Sequence, residues 1–292
     1  QAPPSPPRPP RRPMRRIMCT PLSQRPEGST LILFDVDGTL AVPAQLAEPE
    51  IVQMLDELRQ RYAVGIVGAG DFKKQEGQLG GADLSARLDF VFSENGVHAF
   101  RDGAQIHCKS IVEFLGEARW EQFQSGLKEL LSAEAAETER LLQLASLSAV
   151  LADRSTFLEC RECTVNVCPI GRVPTLSKEE RAAFEKVDTE AGLRRRIVER
   201  LTSDYGPDTE YQLTFSIGGQ IGIDVCPCGW DKTFCLRFVS PEEFHTVHFF
   251  GDKTYKGGGD YEIFESPRTI GHTVTDAADT LQQVQALFFA GK

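Results

Sequence analysis

LILFDVDGTL, residues 31–40, is an apolar run of strand length that ends on two aspartates one residue apart, Asp35 and Asp37, followed by Gly38. Downstream, PEIVQMLDELRQR (49–61) places Ile51, Met54, Leu55 and Leu58 at helical spacing, and AVGIV (63–67) is a second buried-type strand. Strand, helix and strand at these lengths predict a parallel α/β sheet. VHFFGD (247–252), TIGHTV (269–274) and ADTLQQVQALFF (278–289) return to the same character, so the two ends of the chain share one α/β unit.

The middle is of another kind. FVFSENGVHAFRDGAQIHCKS (90–110) reads as short strands around turns, residues 112–152 as helical and rich in Ala, Leu and Glu, and FLECRECTVNVCPIG (157–171) as strand. A Ser177-x-x-Glu180 capping box opens a second helix, KEERAAFEKVD, and QLTFSIGGQIGIDV (212–225) resumes strands. This order predicts an α+β domain inserted into an α/β domain. The boundaries expected are a Pro/Arg-rich disordered tail over 1–28, a first core part over 29–108, a cap over 109–226 and a second core part over 227–292.

The 292 residues carry a net charge of -10, yet residues 1–26 hold six Arg, nine Pro and no acid, which leaves 26 basic against 42 acidic residues beyond them. Proline at that density forbids the amphipathic helix of a mitochondrial presequence. The acidic remainder repels nucleic acid, so no nucleic-acid partner is expected, and an anionic substrate needs a concentrated basic pocket. No stretch reaches the ~18–20 consecutive apolar residues of a membrane span, and a soluble intracellular protein is expected. Eight cysteines in a chain of this length do not make a disulfide framework, and reduced thiols are the default. Cys160-x-x-Cys163 with Cys226-x-Cys228 offers four thiolates for zinc, but the second pair is too closely spaced for the usual knuckle.

Ligands of parallel α/β sheets bind at the carboxyl ends of the strands, where Asp35 and Asp37 emerge. Two acids one residue apart suit phosphoryl transfer, in which one attacks phosphorus and the other moves a proton. Carboxylates and a phosphate repel one another, so a divalent cation belongs among them, and Mg²⁺ suits all-oxygen ligands. In TFLECR, Arg161 falls on the face away from Leu158 and Cys160, while Arg172 follows a Pro-Ile-Gly turn and Arg181 lies just inside the capped helix. Three arginines from three local elements can converge on one phosphate. In GGQIGIDV, Ile221, Ile223 and Val225 share the apolar face, which leaves Gly222 and Asp224 on the other.

The D-x-D-x-T pattern after a first strand resembles the haloacid dehalogenase superfamily. FDVDGTL, FVFSENG, TFLECR, NVCPIGR, SIGGQIGIDV, GWDK, FFGDKT and SPRT recur in the order seen in the eukaryotic phosphomannomutase family. The resemblance covers residues 31–289, apart from about 130–154. It implies a Rossmann-like core with an inserted α+β cap. Asp35 is then the nucleophile that becomes an aspartyl-phosphate, Asp37 the general acid/base, and Lys232 the cation that holds nucleophile and phosphate. Asp35, Asp37, Asp252 and Asp260 are the implied metal set, and Arg161, Arg172, Arg181, Asp224 and Gly222 the implied substrate contacts. It also implies interconversion of mannose 6-phosphate and mannose 1-phosphate in the cytosol, primed by a hexose 1,6-bisphosphate, supplying GDP-mannose for glycosylation, with a homodimer through the cap. Four family positions differ: an arginine is Ala44, a hydroxyl residue Gly70, a serine Gly222 and an asparagine Gly259. These losses keep two alternatives open, a sugar-phosphate phosphatase of the same fold and an impaired phospho-sugar-binding relative.

Overall fold

The computed structural model describes residues 20–43, 45–81, 84–147, 156–172 and 175–289. Ala44, the first 19 residues of the expected tail and residues 148–154 of the unmatched stretch lie outside these. Among the described residues, strands form two sheets. The larger has the order β11-β10-β1-β2-β3-β4-β5, from β1 (Glu27–Phe34), β2 (Tyr62–Val67), β3 (Phe90–Ser93), β4 (His98–Arg101), β5 (Ala104–His107), β10 (Thr246–Gly251) and β11 (Ile270–Thr273). The smaller has the order β6-β7-β9-β8, from β6 (Leu158–Cys160), β7 (Val165–Val167), β8 (Leu213–Gly218) and β9 (Gly222–Pro227). We call these, with their helices, the core and the cap.

In the core, β1 pairs in parallel with both β10 and β2, and Phe34 sits level with Phe250 on one side and Ile66 on the other. The carboxyl ends of three central strands therefore open at one edge. Alternation along β1 divides the apolar load. Ile32 and Phe34 face α1 (Pro49–Leu58), while Leu31 and Leu33 face Phe90, Phe249 and Phe244 on the opposite side. Helix α1 buries Ile51, Met54, Leu55 and Leu58 at the predicted positions, each side chain contributing roughly 1.5–3 kcal/mol of transfer free energy. Helices α2 (Phe72–Gln78), α3 (Leu84–Arg87), α9 (Tyr261–Phe264) and α10 (Ala277–Val284) complete the core, while α4 (Ile111–Leu115), α5 (Glu117–Ala133), α6 (Ala135–Leu144), α7 (Lys178–Ala191) and α8 (Leu193–Tyr205) cover one face of the cap sheet.

The helical stretch expected over 112–152 is thus three helices in its described part. It breaks at Gly116, whose φ of 77° no helix accommodates, and again at Glu134. The predicted capping box is present: Ser177 Oγ accepts from Glu180 N, and Glu180 accepts from Ser177 N. Helix α8, for which no element was predicted, buries Leu193, Ile197 and Leu201, one turn apart, in the cap core. The disordered tail expected over 1–28 is corrected at its inner end. β1 begins at Glu27, and the buried Arg25 guanidinium forms two bonds to Asp89, at 2.6 and 2.8 Å, and a third to the Tyr62 carbonyl at 2.8 Å. A charge so placed is tolerated because it is paired and bonded on every side.

Candidate active site

Asp35 is the first residue after β1, and its backbone N donates to the Phe250 carbonyl of β10. This bond fixes the aspartate between two parallel strands. Its carboxylate is buried, Oδ1 accepts from Lys232 Nζ at 2.5 Å, and Thr39 Oγ1 approaches Oδ2 at 3.4 Å. Lys232 comes from a 3₁₀ turn (Lys232–Phe238) whose N-terminal end is capped by the Asp231 side chain, and its ammonium also bonds the Asp260 carboxylate. Asp260 is 1% exposed and accepts from Lys253 N with its other oxygen at 2.9 Å. Asp252 follows β10, beside Asp35 across the sheet.

Asp35, Asp252 and Asp260 each offer an oxygen within 4.8 Å of the others. Burial raises Asp35 to about 6, held back by Lys232 and aided by the Asp260 charge. Burial likewise lifts Asp252 above the ordinary carboxylate value, against the pull of Lys253. For Lys232, burial alone would lower the ammonium; Asp35 and Asp260 outweigh it and raise it above the usual lysine value. The donor set suits a hard divalent cation: it is all oxygen, and the buried Asp252 Oδ1 has no hydrogen-bond partner.

Asp37 does not join that group. Its carboxylate accepts from Gln78 Nε2 at 2.8 Å and pairs with the Lys74 ammonium, both on α2. Of the four carboxylates expected as a metal set, three side chains converge, while that of Asp37, three residues beyond the strand end, turns toward α2. Lys74 also accounts for the space at Gly70: a Cβ there would lie 3.0 Å from Lys74 Cδ. Around Gly259 a Cβ would meet nothing within 4 Å. The four cysteines weighed for zinc form no cluster of three or more potential ligands among the described residues.

In the cap, Arg172 and Arg181 line one cavity of about 200 Å³ with Thr175, Leu176 and Ile221. Arg172 bonds the Asn166 side-chain oxygen and pairs with Glu159 at 2.9 Å, and its Nε is buried without a partner. Arg181 donates to the Leu176 carbonyl at 3.2 Å. Arg161 is absent from that lining. It pairs with Asp224 at 3.3 Å and reaches the core, where Nη1 donates to the Ala69 carbonyl at 3.4 Å. Asp224 also accepts from Asn166 Nδ2 at 2.7 Å. A Cβ at Gly222 would strike Asn166 Oδ1 at 2.5 Å, so Asn166 fills the space that a side chain at this position would need.

The chain matches the profile described as eukaryotic phosphomannomutase across residues 51–290. It belongs to that family. It is 45% identical over 269 residues to a phosphomannomutase of Oryza sativa subsp. indica, covering 92% of this chain and 100% of the relative. It is 42% identical over 271 residues to a phosphomannomutase of Schizosaccharomyces pombe (strain 972 / ATCC 24843), covering 92% and 98%. A solved trehalose-6-phosphate phosphatase related protein shares the fold at a TM-score of 0.52 and 16% identity, covering 89% of this chain and 98% of that one. The haloacid dehalogenase architecture expected from FDVDGTL is thus the one observed. Lys74, Gln78 and Asn166 were not predicted as site residues. Asn166 alone had a local signal, a polar residue between the apolar Val165 and Val167 of a strand.

Proposed function

We propose that this phosphomannomutase family member interconverts mannose 6-phosphate and mannose 1-phosphate. The observation that carries this is the buried Lys232–Asp35 contact inside a three-carboxylate group at the carboxyl edge of a parallel sheet. Phospho-Asp35 passes its phosphoryl group to the free hydroxyl of the hexose monophosphate, giving a hexose 1,6-bisphosphate; Asp35 Oδ then attacks the other phosphorus of that bisphosphate, the sugar oxygen leaves and the aspartyl-phosphate is restored. Lys232 keeps Asp35 ionised and faces the transferred group. Asp37, outside the carboxylate group, takes the proton of the attacking hydroxyl and returns it to the leaving oxygen, steadied by Lys74 and Gln78. Asp35 and Asp252, with Asp260 behind them, would hold Mg²⁺, which when bound neutralises charge at the phosphoryl oxygens.

The cap reads the other end of the sugar phosphate. Arg172 and Arg181 bind the non-reacting phosphate in their shared cavity, and the unpartnered Arg172 Nε supplies a donor for it. Arg161, pinned by Asp224, sits between cavity and core, and Gly222 keeps the backbone low there. A hexose 1,6-bisphosphate primes Asp35 and turns round between the two half-reactions, so the cap must accept either phosphate. Family membership further supports a homodimer through the cap, a cytosolic setting and supply of mannose 1-phosphate to GDP-mannose synthesis. No described helix is long and apolar enough to cross a membrane.

The test is purified protein with Mg²⁺, mannose 1-phosphate and catalytic glucose 1,6-bisphosphate, scoring mannose 6-phosphate against free phosphate. Mannose 6-phosphate is expected, and Asp35→Asn abolishes it. Free phosphate as the sole product would replace this proposal with a phosphatase, and neither product from folded protein would leave a binding role.

A further inference from the structure

Cys108 follows β5, one residue beyond His107, and Cys163 lies in the cap turn between β6 and β7. Their sulfurs are 3.4 Å apart, Cys108 exposed and Cys163 fully buried. A disulfide at about 2.05 Å asks the two sulfurs to approach by under ~1.5 Å, within side-chain motion. The contact lies where core and cap join. Ile111 N donates to the Cys163 carbonyl at 2.8 Å, and the buried core residue Glu94 accepts from Cys163 N at 3.1 Å and from Thr164 N and Oγ1 at 2.6 Å each. Cys163 packs there in one cluster with Val97, Trp230 and Phe234, beside the return crossing of the chain.

We propose that Cys108 and Cys163 are a thiol–disulfide exchange site for a low-molecular-weight disulfide, and that the resulting bridge fastens the cap to the core. The Cys108 thiolate attacks one sulfur of the small disulfide and expels one thiolate, forming a mixed disulfide. The Cys163 thiolate then attacks Cys108 Sγ and expels the second. The two protein thiols are oxidised by two electrons, the small disulfide is reduced to two thiols, and the protons pass to the departing thiolates. Burial raises both thiols above the ordinary value, Cys163 further with help from Glu94, so attack through exposed Cys108 sets a slow pace. Contact between the sulfurs makes the second step intramolecular. Cys160, also exposed, has no thiol in contact among the described residues and serves as an internal control.

The full chain is incubated with glutathione disulfide at pH 8, alkylated in denaturant and mapped by peptide mass spectrometry. Expected are a Cys108–Cys163 cross-link and a stable glutathione adduct at Cys160, with Cys163 reduced in C108S. Glutathione retained on Cys108 with Cys163 alkylated, or both alkylated while Cys160 is modified, overturns the site. The fastening is read by amide hydrogen exchange, expected to slow at Ile111, Cys163 and Thr164 in the bridged form and to recover with dithiothreitol. A bridge that leaves those rates unchanged overturns that part. Neither readout depends on the proposed mutase activity.

Discussion

At Gly38 the backbone φ is 95°, and a Cβ there would lie 2.4 Å from Asp252 Oδ2. Gly38→Ala therefore carries two penalties, a left-handed backbone costing on the order of 1–3 kcal/mol and a displaced carboxylate. A lowered urea midpoint together with a raised Mg²⁺ requirement for turnover is expected; a shift in stability alone would show that Asp252 tolerates the push. Lys74 is the second residue whose neighbours define it. Removing the ammonium beside Asp37 in Lys74→Ala should lower kcat by ~100-fold, the lower end of what a positioned acid/base contributes, with KM changed much less. Lys74→Arg should keep most of the rate. Asp35 was legible in the sequence because it stands at a strand end, and Lys232, Asp252 and Asp260 because the short motifs around them resemble those of the family. Lys74 was not: its importance comes from one turn of helix laid against a strand end some 37 positions earlier.

Among the elements, β10 and β11 carry a titratable pair. His248 Nδ1 and His272 Nε2 lie 2.8 Å apart, stacked within reach of Phe250 and Phe288. Burial, then the neighbouring His272, lowers His248 from 6.5 to about 4, and burial lowers His272 as well. Between about pH 6.5 and 4 the unfolded chain binds more protons at these positions than the folded one, so stability falls as pH drops through that window. Denaturant midpoints at pH 5 and 7.5 should differ by less in His248→Phe than in the parent chain. Strand existence was readable here from VHFFGD and TIGHTV, and so was α1 from its apolar spacing. Helix α8 escaped because LRRRIVERL carries four arginines across its polar and buried faces alike. Arg194, 3% exposed, is accommodated by Asp188 at 2.6 Å and by the carbonyls of Gly219 and Gly222, partners that exist after the cap sheet has formed.

For the molecule as a whole, the join between core and cap depends on few polar groups. Glu94, buried with a φ of 48°, accepts three bonds from Cys163 and Thr164. Glu94→Ala leaves two buried backbone donors without a partner, each costing roughly 1–3 kcal/mol, while Glu94→Gln keeps an acceptor and should cost less. Urea unfolding of the two variants checks the order, and equal losses would mean that water takes the place of the carboxylate. Arg161 makes the matching contact at the mouth, bound to Asp224 on its own side and to the Ala69 carbonyl on the other. Cap and core are thus held at the hinge by a carboxylate and near the site by a guanidinium.

Alone, the sequence determined the α/β order, the interruption by an α+β unit, the pair Asp35 and Asp37 at a strand end and the family resemblance, which in turn put forward Lys232, Asp252 and Asp260 as candidates. The elements and the aspartate pair follow from hydrophobic period and strand ends, and the candidates from short motifs, all of which are local in the chain. Tertiary structure alone decided that Asp37 leaves the carboxylate group for Lys74 and Gln78, that Asn166 fills the space beside Gly222, that Arg161 reaches the core instead of the arginine cavity, and that Cys108 meets Cys163. Each joins residues from separate elements, and which side chain fills a given space is settled by the packing of those elements against one another.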